Sequence, residues 1–290
     1  MYGEFDLSIP ETLQEAVAAL SSSGKRAVPL SGGTNVLLDI RSQKLAPDLL
    51  VGLGSVAGLR GISVGDGRMT LGGQTTISDL LASAEIADKA PALLQAARVF
   101  AGQMVRNAAT VAGNIACGSP AADLVPPLLS LDAEVDLTGK DGTRRVALAD
   151  FYTGYKTDQR KPDELITAVS WPEPAAGTFG SFYKLARRHG DAITVNGVAV
   201  SITLQDGRCT RARIALGSVG PVPMRARKAE ALLEGQALTQ DKIAAAASAA
   251  AAECSPIDDV RATGAYRRQM VGVLVARLVN MAIQPKDQEN

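Results

Sequence analysis

A short apolar stretch that runs directly into paired glycines most constrains how the N-terminal part of this chain folds. Residues 26–30 predict a strand, Ser31-Gly32-Gly33-Thr34 follows it, and Val36, Leu37 and Ile40 then restart an apolar face. Residues without side chains let consecutive backbone N–H groups converge on a phosphate, and Thr34 adds a hydroxyl donor. Two glycines after a strand are equally typical of a tight turn, so this segment alone leaves both interpretations open.

Two other nucleotide-binding motifs are excluded. Gly52 to Ala57 fits G-x-G-x-x-A directly after an apolar strand, which is the pattern of a dinucleotide-binding loop. Gly58 and Gly61 follow at once and shorten any helix there, and no acidic residue closes a second strand at the expected distance. No Gly-Lys-Ser/Thr sequence occurs, so a P-loop is absent.

Composition narrows the class of protein further. A chain of 290 residues with 46% hydrophobic content has enough length for two packed cores. Lys+Arg and Asp+Glu both total 30, so no net positive field favours binding to nucleic acid or an anionic membrane. Residues 1–6 include acidic side chains and no long apolar run, which predicts neither a signal peptide nor a membrane span and therefore a cytoplasmic protein.

The few cysteines and the single histidine exclude several chemistries. Cys117, Cys209 and Cys254 are widely separated, so neither a zinc site nor an iron–sulfur cluster is expected on this chain. His189 is the only histidine, which argues against multi-histidine zinc sites and against a Ser-His-Asp triad. Any iron–sulfur cluster must therefore lie on a partner.

Local patterns predict an α+β protein in two parts. Helical spacing occurs over residues 13–20, Ser78 is a candidate helix cap, and Pro91 suits the first turn of a helix. Hairpins are expected over residues 133–148 and over 199–216, where Asp206-Gly207 supplies the turn. Prolines and a glycine at 172–177 mark a boundary between residues 1–175 and 176–290, and helices fill the C-terminal end.

The segment from Phe100 to Asp123, dense in small residues, carries the specific signal. Together with residues 29–37 it resembles the FAD-binding medium subunit of the molybdenum hydroxylases, the family of xanthine and carbon monoxide dehydrogenases. The resemblance covers nearly the whole chain, including residues 183–188 and 266–270. It implies a PCMH-type FAD-binding domain of two α+β subdomains over 1–175. Over 176–290 it implies a domain like the C-terminal domain of carbon monoxide dehydrogenase flavoprotein, with a three-stranded antiparallel sheet and helices.

The resemblance also implies which residues bind FAD. The backbone from Leu30 to Val36, the first loop, would line one side of the diphosphate, and Thr110, Gly113 and Asn114 of a second loop, residues 110–114, would line the other. Asp123 would accept hydrogen bonds from flavin-side hydroxyls. Lys184 matches a lysine at the end of the flavin ring, where a cation stabilises negative charge on reduced flavin. The full predicted set comprises Leu30, Ser31, Gly32, Gly33, Thr34, Asn35, Val36, Phe100, Ala101, Thr110, Gly113, Asn114, Cys117, Asp123, Leu165, Ile166 and Lys184.

Two positions depart from the family pattern. Ala112 stands where the family has the first glycine of a pair, and Cys117 where a small or hydroxyl residue is common. A methyl group at position 112 is compatible with the loop only if φ there is negative, and we predict that it is. We interpret Cys117 as a buried structural thiol rather than a redox-active one.

The function implied by the resemblance is electron relay. A large partner subunit would carry the molybdenum cofactor, a small partner would carry two [2Fe-2S] clusters, and this chain would pass electrons from FAD to an external acceptor. A dimer of such heterotrimers is implied as well. Two alternatives remain open, a stand-alone flavin oxidoreductase acting on a small organic substrate and an assembly module that has lost its flavin.

Overall fold

The computed structural model describes residues 4–21, 24–188 and 191–284. Helices and strands follow one another in three groups along the chain, each built on its own main sheet. His189 lies outside the described residues. None of the helices in the described part of the chain is long and apolar enough to cross a membrane.

A small parallel sheet begins the chain. Its strands lie in the order β1-β3-β2, and the predicted helix packs Val17 against Val51 and Leu53 in a separate core. Ligands of open parallel sheets bind beyond the carboxyl ends of the strands, and Ser31 follows such an end directly. The elements of this group are β1 (Asp6–Ser8), α1 (Leu13–Leu20), β2 (Ala27–Leu30), α2 (Val36–Arg41) and β3 (Leu49–Gly52).

An antiparallel sheet of five strands in the order β4-β5-β10-β6-β7 forms the second group. Trp171 is fully buried on the central strand, and the predicted hairpin over residues 133–148 is confirmed. The elements are β4 (Ile62–Gly65), β5 (Arg68–Gly72), α3 (Ile77–Ala82), α4 (Ala84–Lys89), α5 (Pro91–Arg98), α6 (Gln103–Ala108), α7 (Val111–Ala116), α8 (Val125–Ser130), β6 (Glu134–Gly139), β7 (Gly142–Ala147), α9 (Leu148–Phe151), β8 (Tyr152–Gly154), β9 (Thr157–Asp158) and β10 (Leu165–Pro172).

One predicted helix cap in this group is wrong. Thr76, and not Ser78, caps α3, because its hydroxyl accepts a hydrogen bond from the Asp79 N–H while the Asp79 carboxylate accepts from the Thr76 N–H. This reciprocal pair satisfies two backbone donors at once, and Ser78 then lies inside the first turn. The predicted start of α5 at Pro91 is confirmed.

The third group has the predicted antiparallel sheet. The sheet contains three long strands and, at one edge, the two-residue strand β14. The order is β11-β12-β13-β14. Asp206 and Gly207 form the predicted turn with φ values of 50° and 73°, which match the twist of a tight hairpin. The elements are β11 (Thr178–Leu185), β12 (Asn196–Gln205), β13 (Arg208–Gly217), β14 (Met224–Arg225), α10 (Arg227–Leu233), α11 (Gln240–Glu253) and α12 (Gly264–Ile283).

The third sheet is covered on both faces. Phe182, Ala199 and Ala215 point into the core that includes α5 and α8, whereas Val200 and Ile214 point into the core of α10, α11 and α12. Strand β12 is consequently buried along most of its length. A hydrophobic core therefore continues across the predicted boundary near residue 175, and the division into two domains stays a prediction.

Charged side chains reinforce the same junction. Asp132 lies after α8 and accepts hydrogen bonds from Arg211 and Arg213 on β13 and from Arg225 on β14, which also pairs with Glu230. Burial alone raises the pKa of Asp132, but the hydrogen bonds from Arg213 and Arg211 and the charge of Arg225 outweigh it and lower the pKa to about 2. The carboxylate thus links the second group to the third.

Replacing Asp132 tests this link. We expect Asp132→Asn to lower the free energy of unfolding by about 1 kcal/mol at neutral pH, allowing for solvent screening of a partly exposed carboxylate. Because the pKa of the folded state lies below the usual 3.8, the stabilisation is complete above that value and disappears as the pH falls towards 2. Urea unfolding of both proteins across this range measures the change.

The matched control is Asp141→Asn. Asp141 forms an exposed ion pair with Lys161, so its removal should change stability little at any pH. If the difference in free energy of unfolding between the wild type and Asp132→Asn stayed constant down to about pH 2, the charge of Asp132 would not be the source of the stabilisation. That result would contradict the role given to the carboxylate.

Candidate cofactor-binding site

The first glycine loop presents a row of free backbone donors. Gly33 has a φ of +71°, a left-handed conformation that favours glycine, and its carbonyl accepts from the N–H of Leu37. No described residue accepts a hydrogen bond from the backbone N–H groups of Gly32, Gly33, Thr34 or Asn35. Consecutive N–H groups of this kind form a concave binding site for anions.

The second loop is arranged differently, because its donors are already used. Thr110 caps α7 by accepting from the N–H of Gly113 at 3.0 Å, and the N–H of Asn114 donates to the Thr110 carbonyl. The N–H groups of Val111 and Ala112 donate to the carbonyls of the segment that follows β5. Ala112 lies within α7 and its φ is negative, as predicted.

The two loops touch each other. A methyl group built on Gly32 would lie only 1.8 Å from the carbonyl oxygen of Ala108. The two backbone segments therefore approach as closely as glycine allows. The hydroxyls of Ser31 and Thr110 are hydrogen-bonded at 2.7 Å, and Ser31 also donates to the Gln74 side chain at 2.9 Å. The predicted residues of both loops are therefore brought together, and Gln74 joins them with no signal in the sequence.

A buried ion pair forms the second part of the site. Lys184 on β11 donates to the Asp123 carboxylate at 2.7 Å, and the two side chains are only 6% and 10% exposed. Thr194 donates to the other carboxylate oxygen at 2.5 Å. Lys184 is therefore no surface lysine. Thr194 was not predicted, because it lies 71 residues from Asp123 along the chain.

The Asp123 carboxylate retains capacity to bind a ligand. Two carboxylate oxygens offer about four acceptor positions, and Lys184 and Thr194 use two of them. The pKa of Asp123 is raised, because burial outweighs the charge of Lys184 and the two hydrogen bonds, which lower it. The arrangement is chemically suited to accepting hydrogen bonds from hydroxyl groups.

The remaining predicted residues occupy different places. Lys184 also donates to the carbonyl of Val99 at 3.3 Å, and Phe100 and Ala101 directly follow that residue along the chain. Ile166 belongs to the same core cluster as Ala112 of the second loop, and a methyl group built on Gly73 would meet both the Ile166 carbonyl and the Ala112 methyl. The side chain of Leu165 belongs instead to the separate core with Val17 and Leu53.

Cys117 ends α7 with its thiol turned inwards. The Sγ atom donates to the Asn114 carbonyl at 3.0 Å, and burial raises the pKa of the thiol. Reactive cysteines need a lowered pKa and access to solvent. The raised pKa supports the interpretation of the partly buried Cys117 as a structural residue.

The free backbone donors of the first loop and the buried Asp123–Lys184 pair are features suited to an anionic ligand that carries hydroxyl groups. Residues 3–174 match the model of the FAD binding domain in molybdopterin dehydrogenase, and residues 181–282 match that of the CO dehydrogenase flavoprotein C-terminal domain. The chain therefore belongs to the family of FAD-binding subunits of molybdopterin dehydrogenases. It is an FAD-dependent oxidoreductase subunit, which confirms the resemblance found in the sequence.

Individual relatives align along almost their whole length. The carbon monoxide dehydrogenase medium chain of Afipia carboxidovorans is 34% identical, with 97% of each chain covered. The xanthine dehydrogenase FAD-binding subunit of Escherichia coli O157:H7 is 28% identical, with 94% of each covered. A solved carbon monoxide dehydrogenase of Hydrogenophaga pseudoflava, which lacks the Mo-pyranopterin moiety, matches with a TM-score of 0.94 and 33% identity over 97% of this chain and 98% of that one.

Gly32→Ala tests the contact between the loops. Its methyl group meets a backbone carbonyl that no rotamer change can move, so we expect a loss of about 2 kcal/mol in stability together with weaker FAD retention. Thermal unfolding and the flavin content of the purified protein measure the two effects.

Gly54→Ala is the matched control. The same methyl group there meets no atom within 4 Å, and the residue has no positive φ. It should leave stability and flavin content close to those of the wild type. Equal stability and flavin content in the two variants would show that neither property requires the close approach of the loops.

Proposed function

We propose that this chain is the electron-transfer subunit of a heterotrimeric molybdenum hydroxylase. A small partner with two [2Fe-2S] clusters supplies electrons, a large partner carries the molybdenum cofactor, and electrons leave from FAD to an external acceptor. Relatives named as medium chains and FAD-binding subunits support this assignment along the full length of the chain. Assembly as a dimer of heterotrimers and a cytoplasmic location are parts of the same proposal.

The observation that carries the proposal is the presence of two complementary binding regions on one chain. The free N–H groups from Gly32 to Asn35 suit a diphosphate, and the Asp123 carboxylate suits hydroxyl groups. FAD contains both kinds of group. Bound FAD would supply the redox chemistry, and the polypeptide supplies binding and electrostatics.

Each region makes a distinct contribution in this scheme. We assign the diphosphate to the loop from Leu30 to Val36, with the second loop as the opposite wall through Thr110, Gly113 and Asn114. Lys184 holds a positive charge in the interior beside the ring-binding region, and Asp123 keeps that charge paired. Phe100, Ala101, Cys117 and Ile166 complete the assigned set, and Leu165 is left out because its side chain packs in the separate core.

The relay is tested with the chain alone and with the complex. Flavin absorbance is recorded after anaerobic addition of an organic substrate of the complex, first to the isolated chain and then to the chain with both partners. We expect bleaching only in the complex, because the substrate is oxidised on the large partner. Bleaching of the isolated chain would instead establish a stand-alone oxidoreductase, and a folded but colourless protein would establish an assembly module.

Asp123→Asn tests the ring-side region. The amide keeps the shape of the side chain but removes the negative charge. That charge strengthens hydrogen bonds accepted from hydroxyl groups and neutralises Lys184. We expect about tenfold weaker FAD binding, the loss typical of one charge-assisted hydrogen bond, in a protein that remains folded. Titration of the apoprotein with FAD, followed by flavin fluorescence, measures the affinity.

Asp66→Asn is the control for this substitution. Asp66 is exposed in a turn with a φ of 52°, a conformation that asparagine also adopts readily. Its FAD affinity should equal that of the wild type. Unchanged FAD affinity in Asp123→Asn would show that Asp123 is not part of the binding site. The assignment of the diphosphate to residues 30–36 would not be affected by that result.

A further inference from the structure

A buried arginine on the last helix is connected to both halves of the Asp123–Lys184 ion pair. Arg267 lies in the first turn of α12, within the stretch 266–270 to which the function assigned no role, and its side chain is 3% exposed. Isolated buried charges are costly, and such residues are normally paired. The partners of Arg267 therefore indicate what it holds.

The guanidinium group connects three separate segments. It donates to the Asp259 carboxylate at 2.8 Å, to the Val195 carbonyl at 2.6 Å and to the Ser218 carbonyl at 3.2 Å. Its own backbone carbonyl accepts from the Asn196 amide at 2.8 Å. The planar fork of arginine suits such a set of acceptors, which the point charge of lysine cannot serve equally.

Val195 links Arg267 to Lys184 and to Thr194. Its N–H donates to the carbonyl of Leu185, the residue after Lys184, at 2.8 Å. Val195 also follows Thr194, whose hydroxyl donates to Asp123. Arg267 therefore binds the carbonyl of Val195, a residue that contacts the neighbour of Lys184 and follows the threonine that binds Asp123.

Ser218 links Arg267 to the other side. It follows the end of β13 with a φ of 63°, and its N–H donates to the carbonyl of Pro120 at 2.8 Å. Pro120 lies three residues before Asp123 in the same loop. One guanidinium group thus binds Val195 and Ser218, whose N–H groups donate to the carbonyls of Leu185, next to Lys184, and of Pro120, near Asp123.

We propose that Arg267 is a positioning residue for the cofactor site, which fixes Asp123 and Lys184 through Ser218 and Val195 without contacting the cofactor. The inference rests on the proposed assignment of FAD to this site. Without Arg267, the Asp259 carboxylate and the carbonyls of Val195 and Ser218 lose a donor, so Val195 and Ser218 are no longer cross-linked by one side chain. The predicted consequence is weaker FAD binding.

Arg267→Met in the full chain tests the proposal, because methionine retains much of the apolar volume and removes every hydrogen bond. We expect about tenfold weaker FAD binding, measured by fluorescence titration of the apoprotein. Arg267→Lys keeps the charge and should lie between this variant and the wild type. Arg268→Met, the same change at the exposed neighbouring position, should retain the affinity of the wild type.

Two further measurements separate positioning from general destabilisation. Leu274→Ala removes a buried side chain of α12 that packs only in the C-terminal core, so it should lower the unfolding temperature with little effect on FAD affinity. In an Asp123→Asn background, Arg267→Met should weaken FAD binding by less than tenfold, because one of the two residues through which it acts is already altered.

The outcomes distinguish this inference from the proposed function. A wild-type chain that binds FAD together with an Arg267→Met variant of equal affinity overturns the role of Arg267 alone. The same holds if Leu274→Ala weakens FAD binding equally at an equal loss of thermal stability, or if the Arg267→Met effect persists in full beside Asp123→Asn. A wild-type chain that binds no FAD overturns the proposed site and this inference together.

Discussion

The close approach of Gly32 to the Ala108 carbonyl is the constraint on which the binding region depends. At that distance no side chain fits between the two segments, and the hydroxyl pair of Ser31 and Thr110 can form only because the backbones already touch. This contact joins a parallel sheet to an antiparallel one. The N–H groups of Gly32 to Asn35 have no acceptor among the described residues, whereas those of Val111 to Asn114 are all satisfied, so only the first loop offers free donors to an anion.

Ion pairs hold the third sheet against the second group in two places, one of them partly exposed and the other buried. Asp132 binds three arginines at the outer junction, and Asp123 pairs with Lys184 at the inner one. A charge that loses its water without gaining a partner destabilises the protein. Other positions of the third sheet, in which these partners would be separated, are therefore disfavoured. The apolar faces of the sheet supply attraction, and the charged pairs select its position.

Elements with local causes could be predicted from the sequence. The hairpin at Asp206 and the helix that begins at Pro91 depend on the conformations that these residues prefer, and both are observed. Thr76 was missed as a cap because a serine two residues later offers the same hydroxyl, and only the acidic residue three positions after Thr76 distinguishes them. Local chemistry is therefore decisive where competing residues are few.

Long-range pairings in the site could not be predicted in the same way. The family resemblance named Asp123 and Lys184 separately, but nothing in either segment indicates that they pair across 61 residues or that Thr194 joins them. Adjacent strand residues also face opposite sides, so naming both Leu165 and Ile166 could not decide which one meets the second loop. Gln74 gives no signal at all, because its role arises only where the two loops meet.

The third sheet, with cores on both faces, has a consequence for the exchange of parts between relatives. A chimera joined near residue 175 would graft a foreign β11, β12 and β13 onto this chain's α5 and α8, so that the grafted counterparts of Phe182, Ala199 and Ala215 would have to fit helices that evolved with other neighbours. Sequence similarity at the junction itself would not reveal such a mismatch. Compatible pairs of N- and C-terminal segments should therefore be chosen by the volume of these three facing positions.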